Sequence, residues 1–106
     1  MPDPQDPESP EGRFQLRCRE LIGEIQRAGF MPGGWIGLIS RHGAVGAARE
    51  LLSTGRILPV TPWLVQQGRP ELTIEREMTR EEWADIFDDT ERAEAERRLE
   101  RAAEHE

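Results

Sequence analysis

The chain has no lysine, no asparagine and no tyrosine, and only one cysteine and two histidines among its 106 residues. The three missing types have codons rich in A and T, which reads as a GC-rich genome and hence a bacterial source. All 14 basic residues are therefore Arg, and mutation bias accounts for this better than a choice of phosphate geometry. The single thiol, Cys18, excludes an internal disulfide and a thiolate metal cluster, so the core must be held by packing, and the cytoplasm is the expected compartment. Apolar runs are short of a membrane span, and Met1-Pro2-Asp3-Pro4 lacks the basic and apolar regions of a signal peptide, so neither a membrane nor secretion is expected. Aromatics number six, with Trp35, Trp63 and Trp83 making up half of them.

What the chain has in abundance is charge, at 33% of residues against 36% hydrophobic, with a net charge of −7. This is lean material for one small domain, and the sign opposes a general affinity for nucleic acid or an anionic membrane. The distribution is uneven. Residues 1–12 carry four acids and no base, residues 13–56 seven Arg against three Glu, and residues 57–106 seven Arg against 14 acids. The four prolines of residues 1–12 (Pro2, Pro4, Pro7 and Pro10) each remove a backbone donor, and the segment is expected to be a disordered acidic arm.

From Arg13 the apolar residues adopt a helical period, with Phe14, Cys18, Leu21, Ile22, Ile25 and Ala28 on one stripe, Gly29 placed as a left-handed cap and Phe30 as its hydrophobic contact. Pro32, Trp35, Ile36 and Ile39 predict a second helix ended by Gly43. Ala44 to Ser53 predicts a third that buries Val45, Ala48, Leu51 and Leu52 and stops at Gly55. Ile57 to Val60 reads as an extended buried connection, because Pro59 would break a strand ladder and no partner strand exists. Thr61 and Pro62 are spaced as cap and first helical residue for a short helix containing Trp63, Leu64 and Val65, which Gly68 stops. Thr73 is the expected cap of an element holding Leu72, Ile74 and Met78. Thr79 and Glu82 match a capping box and Met78 and Trp83 a hydrophobic staple, which together predict a helix from Arg80 to Phe87 burying Trp83, Ile86 and Phe87. Asp88 or Asp89 is expected to cap a charged final helix, about Thr90 to Ala102, anchored by Ala93 and Leu99 and supported by pairs such as Glu94 with Arg98.

The segment Gly43 to Leu52, then Gly68 to Glu75, then Trp83, Phe87, Glu91, Ala95, Arg98 and Leu99 resembles a pattern that recurs in small helical bacterial proteins of unassigned function and in C-terminal regions of larger ones. The resemblance covers about residues 15–100. It departs from the usual pattern at Ile57 to Pro62. It implies a compact helical module and transfers no catalytic residue.

Candidate sites are few. His42 has a partner only in His105, far along the chain, and neither has a second ligand at metal spacing, so His42 is expected to sit at a helix C-terminus. Cys18 lies on an apolar stripe and is expected to be packed. The glycines form no phosphate loop, and Asp88-Asp89 reads as a helix cap. No catalytic, cofactor or metal set emerges, which predicts a protein that is not an enzyme and takes no cofactor. Two binding readings remain. In the first, a partner protein docks on an apolar surface formed by Ile57, Leu58, Val60 and Trp63, with help from the final helix. In the second, Arg41, Arg49 and Arg56 of the basic half contact nucleic acid, residues 33–54 serving as a helix-turn-helix. The sequence leaves self-association open. The expected architecture is all-α: five or six short helices in an irregular bundle, a single domain over residues 13–104 whose charged final helix projects.

Overall fold

The computed structural model describes residues 8–55 and 57–104. Among them the fold is all-α, five helices and two 3-10 turns with no strand. The expectations for residues 1–7, Arg56 and His105 lie outside the described residues.

Helix α1 spans Pro10–Ala28 and starts three residues earlier than the periodicity predicts. The Ser9 hydroxyl accepts from the Gly12 amide at 3.0 Å, and Pro10 occupies the first turn, where a missing N–H costs nothing. The last proline of the expected arm is therefore the start of the helix. At the other end Gly29 has φ 109°. Its amide donates to Gln26 O and the Phe30 amide to Ile25 O, the paired bonds of the expected left-handed cap. Phe14, Cys18, Leu21 and Ile25 are buried and Ile22 is partly so, while Ala28 is exposed.

Helix α2, Gly33–Thr54, is two helical stretches joined at Gly43, whose φ of 74° and ψ of 169° are not helical. The predicted stop and restart at this residue is present. The bend frees the amide of Ala44, and the buried side chain of Gln15 on α1 accepts from it at 3.4 Å. Ala44, Ala47 and Ala48 are almost fully buried, and these small side chains bring α2 close to α1.

Helix α3, Val60–Gln66, differs from expectation at its start. Pro59 stands at the cap position, and Thr61, one residue inside, is buried and turns its hydroxyl to the Glu75 carboxylate. A 3-10 turn at Pro70–Leu72 leads into α4, Ile74–Met78. Here Thr73 caps as expected, accepting from the Arg76 amide at 3.1 Å.

The capping box predicted at Thr79 and Glu82 does not form. Thr79 instead donates to Arg76 O at 2.7 Å, closing α4, and the following residues make only a 3-10 turn at Glu81–Trp83. Of the residues expected to be buried here, Trp83 and Phe87 are within a few per cent of complete burial, as is Met78, whereas Ile86 is only partly buried. A true capping box lies nine residues further on. The Glu91 amide donates to Asp88 Oδ1 at 2.8 Å and the Asp88 amide to Glu91 Oε1 at 3.0 Å, opening α5, Asp89–Glu104. Helix α5 does not project. It packs on α2, α3 and α4 through Ala95, Arg98, Leu99 and Ala102, whereas Ala93, an expected anchor, is exposed. Glu94 pairs with Arg97 and Arg101, which leaves Arg98 to turn inward.

Two apolar clusters result. The larger is built on Phe14, whose ring meets Trp83 and Phe87 edge-on at centroid distances of 5.2 and 5.1 Å, with Trp35 and the α2 alanines around it. The smaller holds Leu21, Ile25, Val60, Leu64 and Leu72, and Leu58 packs against both.

Candidate functional site

The connection from α1 to α2 and the connection from α2 to α3 run side by side and form an apolar rim. The Phe30 and Trp63 rings lie 5.0 Å apart at 42°. Met31 is 67% exposed, the most exposed large apolar side chain described. A shallow groove of about 120 Å³ is lined by Phe30, Met31, Pro32, Leu58, Pro59 and Val60.

The four predicted docking residues are split by this arrangement. Val60 is buried in the smaller cluster and belongs to the core. Leu58 and Trp63 are half-buried, their inner sides packed on the core and their outer edges in the rim. Ile57 is half-buried beside them. The rim also contains Phe30, expected only as the contact of the Gly29 cap, and Met31, for which the sequence predicts no role. Their signal was weak: two apolar residues after a helix-stopping glycine, when only one is needed for the cap contact.

Of the three predicted nucleic-acid contacts, Arg41 and Arg49 lie among the described residues. Arg49 is engaged internally. Its Nη2 donates to Ile86 O at 2.7 Å, its Nε to Glu91 at 3.0 Å, and its guanidinium lies 5.8 Å from the Phe87 ring centroid. It clamps α2 to the start of α5. Arg41 is exposed and borders a cleft of about 400 Å³ with Leu38, His42, Glu50, Leu51 and Leu58. Arg56 is outside the described residues. His42 is exposed, immediately before the Gly43 bend, where the first stretch of α2 ends.

Burial pushes the Cys18 thiol far above its ordinary range, the nearby Glu77 carboxylate adds to this, and Arg17 opposes it. A thiol so held stays protonated. Asp88 is occupied as a cap. Among the described residues no group of three or more His, Cys, Asp or Glu side chains could hold a metal ion, and no helix is long and apolar enough to cross a membrane.

Two buried carboxylates went unseen in the sequence. Glu77 is fully buried; its Oε2 accepts from Trp83 Nε1 at 2.6 Å and its Oε1 meets Arg17 at 3.3 Å and Arg80 at 3.2 Å. It joins α1, α4 and the 3-10 turn at Trp83. Glu75 is 1% exposed; its Oε1 accepts from Thr61 at 3.0 Å and its Oε2 lies 3.6 Å from Nε of the equally buried Arg98. Burial holds the Glu75 carboxyl above the usual carboxylate range, partly offset by backbone amides, Thr61 and Arg98. Nothing in a run of acids distinguishes these two from solvated neighbours, except that Ile74 and Met78 place α4 in the core.

Compared with protein families, curated proteins and solved structures, the chain finds no match in any of the three.

Proposed function

We propose that this chain is a small non-enzymatic interaction module, an accessory or regulatory protein of the bacterial cytoplasm that docks a partner protein through the rim of Phe30, Met31, Leu58, Pro59 and Trp63. The observation that supports this reading is the exposed Met31 beside the half-buried Phe30–Trp63 ring pair. An apolar, adaptable side chain next to an aromatic pair is the kind of surface that gains most when water is removed by a partner. The competing nucleic-acid reading loses Arg49 to internal bonds and retains Arg41 as its described contact.

A photoreactive amino acid at position 31 tests the proposal in cells, with one at exposed Glu20 on α1 as the control. A single protein cross-linked from position 31 and not from 20, and lost with the exposed change Pro59→Asp, is the expected result. Equal cross-linking from both positions would remove the rim as the docking surface.

A further inference from the structure

Helix α5 is held to the rest of the molecule by an unusual contact. Its apolar stripe is short, consisting of Ala95, Leu99 and Ala102. At its centre Arg98 is 0% exposed, yet Nε, Nη1 and Nη2 have no hydrogen-bond partner, and neither does Glu75 Oε2 facing it. A guanidinium stays charged, and an ion pair removed from water recovers its desolvation cost only when its remaining hydrogen-bonding groups are satisfied. Here they are not. The other ties of α5 lie nearer the surface: Arg76 to Glu96 at 3.2 Å, Arg92 to Thr79 O at 2.9 Å and Arg49 to Glu91 at 3.0 Å. The two ion pairs among them are exposed enough to hold weakly.

The helix also carries supports of its own. The capping box of Asp88 and Glu91, and the pairs of Glu94 with Arg97 and Arg101, are internal to residues 88–104. These support helical structure whether or not the buried face is covered. A helix with its own cap and ion pairs thus packs against α3 and α4, where Thr61 and the Glu75 carboxylate face it.

We propose that α5 is a displaceable strap, occupying in cis the groove that a helix of a partner protein enters when it presents an arginine followed by a leucine between small residues, in the spacing of Ala95, Arg98, Leu99 and Ala102. The charge complementarity with Glu75 selects the arginine, and the complete burial of Ala95 and Ala102 selects small residues at their positions.

The test uses the full chain. Hydrogen exchange should give amides 95–102 protection at least tenfold lower than amides 14–25 of α1, and E75L/R98L should raise protection in α5 at least tenfold relative to α1. A fluorescent peptide of residues 88–104 should bind the full chain carrying Leu99→Ala, whose strap is weakened, at least tenfold more tightly than it binds the unaltered chain. Arg98→Ala in the peptide should abolish that gain. Ala102→Gly serves in place of Leu99→Ala if circular dichroism shows the latter unfolded. The proposal is overturned if α5 opens only with global unfolding, if the peptide binds both chains equally or without need of Arg98, or if the weakened chain sediments as a dimer, which would assign the groove to a second copy.

Discussion

Replacing Gly43 by Ala tests the bend in α2 with a single methyl group. The φ of 74° and ψ of 169° at this residue lie in a region essentially reserved for glycine. The added Cβ would stand 3.6 Å from Gln15 Oε1, an ordinary contact, so the cost is backbone strain and not collision. Strain of this kind amounts to about 1–3 kcal/mol, and each kcal/mol lowers the melting temperature of a domain this size by roughly 4–8 °C. Urea unfolding followed by circular dichroism should therefore show a lower midpoint with an unchanged slope. Gly23→Ala is the control. Gly23 lies within α1, and its Cβ would also meet nothing closer than 3.6 Å; there alanine should stabilise by about 0.5–1 kcal/mol. A continuous α2 would respond at Gly43 as α1 does at Gly23. Stability for Gly43→Ala equal to or above that of the unaltered chain would thus refute the bend, and with it the role of Gln15 in satisfying Ala44.

Other perturbations address the buried polar groups. Glu77→Ala should cost about 3 kcal/mol in urea unfolding, because it strands the buried Trp83 indole N–H and leaves a void; a loss below 1 kcal/mol would show that Trp83 finds another acceptor. Cys18 should resist a thiol reagent such as dithionitrobenzoate in the folded chain and react at once in guanidinium, and rapid reaction under native conditions would contradict its burial. Glu75 has a folded-state pKa raised above its unfolded value, so in the interval between the two the folded chain holds the extra proton, and its contribution to stability falls as pH rises through that interval. Glu75→Gln should flatten this part of the stability curve above the ordinary carboxylate range, a difference that urea titrations at stepped pH would detect; parallel curves would rule it out.

Much of the fold was legible where a signal was local and unambiguous. The α1 stripe with its Gly29 cap, the break at Gly43 and the cap at Thr73 each depend on residues within one or two turns. Where two local signals competed, tertiary contacts decided. Ser9-Pro10 and Thr61-Pro62 are the same cap-and-proline pattern, yet only the first caps, because the Thr61 hydroxyl has a buried carboxylate to satisfy. Thr79 and Glu82, and Asp88 and Glu91, share the spacing of a capping box, yet only the second opens a helix, because Trp83 is drawn inward to Phe14 and Glu77. The inward turn of Arg98 was illegible for the same reason: a helix with charges at ten of its 16 positions, spread over every face, gives no periodic sign of which one is buried. The candidate rim was half legible, since Leu58 and Trp63 were visible as apolar residues in a connection, but Met31 enters only when the two connections are placed side by side.

The edge-on seat of Phe14 between Trp83 and Phe87 also sets an order of events during synthesis. These ring partners lie 69 and 73 positions further along the chain, which at a translation rate of about 5–20 residues per second corresponds to a wait of roughly 4–15 s. Throughout that interval the nascent α1 carries its apolar stripe without the rings that cover it, and the emerging polypeptide is at its most vulnerable to chaperones, proteases and its own neighbours on the same messenger.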